Sequence, residues 1–181
     1  MPGGGKSTVA RHLARRLDVP FADTDATIEQ RIGCVIRSYF EQEGEERFRD
    51  LEEIVLGEIL TDSHGVVATG GGIVLRESNR SLLHDRSICV YLRSTPEELF
   101  RRLRHDTKRP LLQVADPLAR LRQLFVERDT LYREAAHFVI ETGRPSIPTL
   151  VNMVLMQLEL AGAIDPRGVP SPVDAPPRDE R

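Results

Sequence analysis

The chain has 181 residues, 40% of them hydrophobic, and a formal net charge of −3; that fits one globular domain with some extra length. The charge excludes a general nucleic-acid binder, which would carry excess Lys and Arg, and no apolar run approaches the ~20 residues of a membrane span. No secretory signal is visible at the N-terminus, and Cys34 and Cys89 are too few for a disulfide framework or a zinc site, so they are expected to be buried thiols in a cytoplasmic protein.

Val9, Leu13 and Leu17 recur every fourth residue and predict a first helix. Val19 to Ala22 predicts a strand that ends in Asp23-Thr24-Asp25. Ile28 and Ile32 predict a second helix, with Gly33 placed to end it. Phe48, Leu51, Val55 and Ile59 mark a longer helix, and Val66-Val67-Ala68 a strand running into Gly70-Gly71-Gly72. Ile88 to Leu92 reads as a buried strand. Thr95-Pro96-Glu97-Glu98 is a capping box with Pro at the first helical position, opening a helix through Leu103. A charged loop is expected over residues 105–116, a helix from Leu118 to Glu134, a last strand at Phe138 to Ile140 and a last helix from Thr149 to Leu160. Alternating strands and helices predict an α/β fold with a parallel sheet covered on both faces. Residues 163–181 hold five prolines and almost no bulky apolar side chain, the composition of a disordered tail.

Gly3-Gly4-Gly5-Lys6-Ser7-Thr8 is the strongest local signal. Glycines let backbone N–H groups converge on phosphate oxygens, and the helix that follows points its positive end at them. Lys6 would reach the β- and γ-phosphates, and the Ser7 hydroxyl would hold Mg²⁺. Gly5, Lys6 and Ser7 match the end of the pattern G-x-x-x-x-G-K-[ST], whose first glycine would fall just before Met1. The strand that normally precedes the loop, in the middle of the sheet, is missing from the sequence as well. Each ladder group left unpaired in such a core costs about 1–3 kcal/mol. The expectation is therefore a start upstream of Met1, or a truncated chain.

Ligands of open α/β sheets bind beyond the carboxyl ends of the strands. Asp23 and Asp25 fall there and could serve metal and substrate separately, although Asp is also common at turns and helix N-caps. Arg49 and Glu52 lie three apart on a predicted helix and share a face. A carboxylate that holds a guanidinium fork suits it to bidentate recognition of a substrate carboxylate; an ordinary surface ion pair has the same spacing. Gly70-Gly71-Gly72 would let a ligand approach the backbone. Arg109, before Pro110-Leu111-Leu112, is placed to neutralise charge on a transferring phosphoryl group. Arg128 is a second candidate anion clamp.

In order along the chain, these motifs resemble the shikimate kinase family: Gly3 to Thr8, Asp23-x-Asp25, Phe48-Arg49-x-x-Glu52, the triple glycine, Arg109-Pro-Leu-Leu, and Arg128 with Leu131-Tyr132. The resemblance covers roughly residues 1–161. It implies a three-layer αβα P-loop kinase fold over 1–162, with a lid at about 105–116, and transfer of phosphate from ATP to a hydroxyl of shikimate with Mg²⁺. Gly3, Gly4, Gly5, Lys6, Ser7 and Thr8 would bind the ATP phosphates, with Ser7 and, through water, Asp23 on the metal. Asp25 would bind the substrate hydroxyls and orient or deprotonate the attacked one. Arg49 and Arg128 would hold the shikimate carboxylate, and Gly71, with Gly72 beside it, would donate backbone N–H. Arg109 would close with the lid onto ATP, and Arg144 would contact adenine. The partners implied are a small-molecule substrate, no nucleic acid, no membrane and a monomeric state. Another P-loop small-molecule kinase, or a non-catalytic nucleotide-binding form, are the alternatives.

Overall fold

The computed structural model describes residues 4–62, 64–103, 114–143 and 145–165. Gly3, Arg109, Arg144, most of the expected lid and most of the expected tail lie outside the described residues.

Helix α1 (Lys6–Leu17) buries Val9, Leu13 and Ala14 on one face, the every-fourth spacing seen in the sequence. It ends at Asp18 in a left-handed conformation (φ 53°), whose N–H returns to the Ala14 carbonyl. Strand β1 (Phe21–Asp23) leads directly into α2 (Thr24–Ile32), which Gly33 closes at φ 70°. Helix α3 (Ile36–Asp62) begins well before the Phe48 face and is broken at Gly44, whose φ of 84° and ψ of 170° are not helical. Strand β2 (Val66–Ala68) runs into the glycines and a short 3₁₀ turn (Ile73–Leu75).

Helix α4 (Glu77–Arg86) has no apolar periodicity to announce it. It is tied instead to the preceding turn, where Asn79 Nδ2 donates to the Ile73 carbonyl at 3.0 Å and Arg80 Nη1 to that of Val74 at 2.8 Å. Strand β3 (Val90–Arg93) and helix α5 (Pro96–Leu103) follow. The capping box forms as read: Glu98 Oε2 accepts from the Thr95 N–H at 2.9 Å, and Thr95 Oγ1 accepts from the Glu98 N–H at 3.3 Å. Helix α6 (Pro117–Ala135), strand β4 (Phe138–Glu141) and helix α7 (Ile147–Leu160) complete the described fold.

All pairing among the described strands is parallel, in two separate pairs. In β1–β2, Phe21 faces Val66; in β3–β4, Val90 faces Phe138. The layers show in β3, whose neighbouring residues enter opposite cores. Tyr91 joins Leu56, Leu99, Leu121 and Leu124 on one face, while Leu92 joins Val9, Leu13, Val151 and Leu155 on the other. A third cluster of Ile28, Phe48 and Val55 fastens α2 to α3.

A cavity of about 440 Å³, lined by Val9, Leu13, Val67, Val90 and Leu92 among others, lies between the two strand pairs. The Cys89 carbonyl accepts from the Phe138 N–H, and that of Arg93 from the N–H of Thr142, just past β4. Alternation along a ladder therefore turns the backbone groups of Val90 and Leu92 toward this cavity. Among the described residues no strand lies between the two pairs. The cysteines depart from expectation: both are free but only half-buried, because Cys34 lies in a connecting turn and Cys89 at a strand's entry. Burial still pushes the Cys89 thiol up to about 11.

Candidate active site

The phosphate end is built at the start of α1. Gly5 precedes the helix at φ 75°, a left-handed conformation that disfavours any residue with a Cβ. No side chain caps this end and no acid stands in its first turn; both would compete with an incoming anion for the N–H groups. Lys6 opens the helix. Ser7 Oγ donates to Asp23 Oδ2 at 2.7 Å, which brings the end of β1 against the phosphate loop.

Asp23 and Asp25 are not equivalent. Asp23 is the N-cap of α2, and its Oδ1 accepts from the Asp25 N–H at 3.1 Å and from that of Ala26 at 3.5 Å. The ordinary capping role and the role beside Ser7 thus belong to the same carboxylate, one oxygen each. Asp25 sits in the first helical turn, half-buried and free of that duty. Its pKa is raised above the usual value, first by burial and then by Asp23, against the opposing charge of Lys6.

The glycine turn is packed from both sides. The Gly70 N–H donates to the buried Thr24 Oγ1 at 3.0 Å. A Cβ at Gly70 would collide with Asp25 Oδ1, and one at Gly72 with the Arg49 guanidinium. The glycines are needed here for room: the side chains of Asp25 and Arg49 occupy the space a Cβ would fill. Gly72→Ala should lower Tm, because the Arg49 guanidinium that its Cβ would meet is held in a buried pair with Glu52. It should displace Arg49 and raise KM for an anionic acceptor by on the order of tenfold, with KM for ATP unchanged; steady-state kinetics with each substrate varied will check this.

Arg49 and Glu52 are no ordinary surface pair. Their side chains are 12% and 1% exposed, and Arg49 Nη1 donates to Glu52 Oε2 at 2.7 Å. Glu45, one turn earlier, accepts from Arg49 Nη2 at 3.0 Å. The guanidinium also lies over the rings of Phe48 and Phe40, 5.2 and 5.7 Å from their centroids. Burial raises the pKa of Glu52, and Arg49 opposes that rise. Arg128 Nη1 donates to the Gly71 carbonyl at 3.1 Å, while its Nε is buried without a hydrogen-bond partner. The Gly71 carbonyl accepts a second bond, from Tyr132 Oη, at 2.6 Å.

The structure thus brings together Lys6, Ser7, Asp23, Asp25, Arg49, Gly70 to Gly72 and Arg128. Thr8, next to Ser7 in the first turn of α1, is exposed. Thr24, Glu45 and Tyr132 contribute contacts to which sequence reading gave no role. For Tyr132 a signal existed, since it stands four residues after Arg128 on one helix face.

The chain matches the model of the shikimate kinase family over residues 2–159. It is 58% identical over 170 residues to the shikimate kinase of Paracidovorax citrulli, with 92% of each chain covered. The chain belongs to the shikimate kinase family. It is also 56% identical to the shikimate kinase of Ralstonia nicotianae, covering 94% of this chain and 90% of the relative. Among solved structures, a shikimate kinase from Acinetobacter baumannii in complex with shikimate superimposes with a TM-score of 0.82, at 44% identity and 90% coverage of both chains. The Aquifex aeolicus shikimate kinase gives a TM-score of 0.77 at 32% identity, covering 90% of this chain and 94% of that one. The fold is that of the P-loop kinases, and the family uses ATP with Mg²⁺. The donor set fits that ion. Ser7 Oγ and Asp23 Oδ2 offer hard oxygens 2.7 Å apart beside the start of α1. That suits Mg²⁺, which keeps water and phosphate oxygens as ligands.

Proposed function

We propose that this chain transfers the γ-phosphate of ATP to a hydroxyl of shikimate, giving shikimate 3-phosphate on the route to chorismate and the aromatic amino acids. The observation that carries the residue-level reading is the buried Arg49–Glu52 pair meeting Asp25 at the glycine turn. An anion clamp and a carboxylate of raised pKa thereby face the same small volume.

In this reading Gly3 to Thr8 surround the phosphates, with Lys6 on the transferring group. Ser7 and Asp23 would hold Mg²⁺, which when bound neutralises charge on the phosphate oxygens. Arg49, its fork fixed by Glu52 and Glu45, receives the shikimate carboxylate together with Arg128, whose unpartnered Nε gives it donor capacity to spare. Asp25 accepts a hydrogen bond from the attacked hydroxyl and takes its proton as the O–P bond forms. Gly71 and Gly72 present backbone N–H. Arg109 closes with the lid and neutralises charge on the phosphoryl group, and Arg144 contacts adenine. Catalysis then consists of positioning, charge stabilisation and exclusion of water.

The reading includes one catalytic domain over 1–162 followed by a tail, acting as a cytoplasmic monomer. No helix among the described residues is long and apolar enough to cross a membrane. The test is shikimate-dependent ADP release from Mg²⁺-ATP by folded protein, with quinate and a nucleoside monophosphate as competing acceptors. Turnover confined to shikimate supports the reading; ATP binding without turnover on any acceptor would overturn it.

A further inference from the structure

The Gly71 carbonyl has two donors, and both come from α6. Tyr132 Oη reaches it at 2.6 Å and Arg128 Nη1 at 3.1 Å. Tyr132 is only 8% exposed, and its ring cannot swing away. It stacks on Tyr91 with centroids 4.8 Å apart and planes 24° apart. Tyr91 is fixed in turn, because its hydroxyl donates to Asp129 Oδ1 at 3.0 Å. Asp129 is held by Arg93 Nε at 3.0 Å and Arg133 Nε at 2.8 Å. The Tyr132 hydroxyl is therefore the stationary donor, and Arg128, on a long flexible stem, the movable one.

We propose that Tyr132 is a positioning residue for the acceptor substrate: its hydroxyl keeps the Gly71 carbonyl hydrogen-bonded when Arg128 leaves that carbonyl for the substrate carboxylate. A carbonyl oxygen can accept two bonds and tolerates losing one. Losing its only donor in a half-buried place is costly. Without Tyr132, Arg128 would be that only donor, and binding the substrate would have to break its bond. The same anchor aims the next amide. In a trans peptide the carbonyl and the following N–H point in opposite directions. Fixing the Gly71 carbonyl toward α6 therefore turns the Gly72 N–H away from α6, on the residue whose α-carbon abuts Arg49. Tyr132 thus sets both the freedom of Arg128 and the direction of a backbone donor. This inference rests on the assignment of Arg128 as a carboxylate clamp.

The experiment compares Tyr132→Phe, Arg128→Lys and the double variant. Phe keeps the stacked ring, so the fold and Tm should hold to within a few degrees. Tyr132→Phe is expected to raise KM for shikimate by on the order of tenfold, with KM for ATP and kcat within about twofold of the parent. Arg128→Lys should raise the same KM, and adding Tyr132→Phe to it should raise it further by less than Tyr132→Phe does alone, because only the aim of the Gly72 N–H is then left to lose. If Arg128→Lys leaves KM for shikimate unaltered, the clamp assignment and this inference fall together. If Arg128→Lys raises it and Tyr132→Phe does not, the clamp stands and the inference is overturned. Equal rises in both KM values with a fall in Tm would also overturn it, in favour of a purely structural hydroxyl.

Discussion

Asp25→Asn is expected to lose about 10²–10⁴-fold in kcat, with KM for ATP little changed and the fold intact. The amide keeps the shape of the side chain but cannot take a proton from the attacked hydroxyl. The direction of the Asp25 pKa gives the prediction a second half. Burial and the neighbouring Asp23 raise it in the folded state. A carboxyl whose folded pKa lies above its unfolded value adds stability that is complete below the unfolded value and is lost as pH rises through the folded one. At neutral pH the ionised Asp25 therefore stands at a cost to the fold. Asn removes that cost, so the variant should melt at the same temperature or higher while losing turnover. The gap between the Tm values should close as pH falls toward the ordinary carboxyl range. For the parent enzyme, kcat should fall on acidification at a pH above that expected of an unperturbed aspartate. Near-normal turnover in Asp25→Asn would remove this residue from the chemistry.

Arg49→Ala should damage both binding and stability, for separable reasons. Loss of the fork removes charge-assisted bonds to the acceptor carboxylate, so KM for shikimate should rise by about 10–100-fold while that for ATP barely moves. The variant also leaves Glu52, 1% exposed, without its partner. Removing one member of a buried ion pair costs about 3–5 kcal/mol, a large share of a stability of about 5–15 kcal/mol. Adding Glu52→Gln should restore much of the lost Tm, because a neutral side chain no longer needs a counter-charge. It should not restore KM. Thermal denaturation of the single and double variants, followed by kinetics with each substrate varied, checks both halves. Equal effects on the two KM values would contradict a clamp on the acceptor.

Much of this was legible in the sequence, though unevenly. The capping box of α5, the α1 face of Val9 and Leu13 and the glycine that ends α2 are local devices, and each formed where its pattern stood. Helix α4 was not legible, because its stability lies in side-chain bonds back to the 3₁₀ turn and not in an apolar stripe. The Asp-x-Asp motif was found, and the resemblance divided metal and substrate between its two acids, but the spacing did not show which of them caps the helix. Only the direction in which the chain leaves β1 makes Asp23 the cap of α2 and frees Asp25. The spacing of Arg49 and Glu52 was equally compatible with a solvated pair and a buried one.

By itself, the sequence determined the alternation of strands and helices, the phosphate loop and the ordered set of motifs that places the chain in its family. Those properties follow from backbone geometry and spacing along a few turns of chain. The tertiary structure alone decided which charges are withdrawn from water and which groups meet through space. Ser7 reaches Asp23 across 16 residues, and Tyr132 reaches Gly71 across 61. Such contacts depend on how α1, α3 and α6 pack around the ends of the strands. Burial, which turns an ordinary arginine–glutamate spacing into a fixed ion pair withdrawn from water, exists only after that packing is complete.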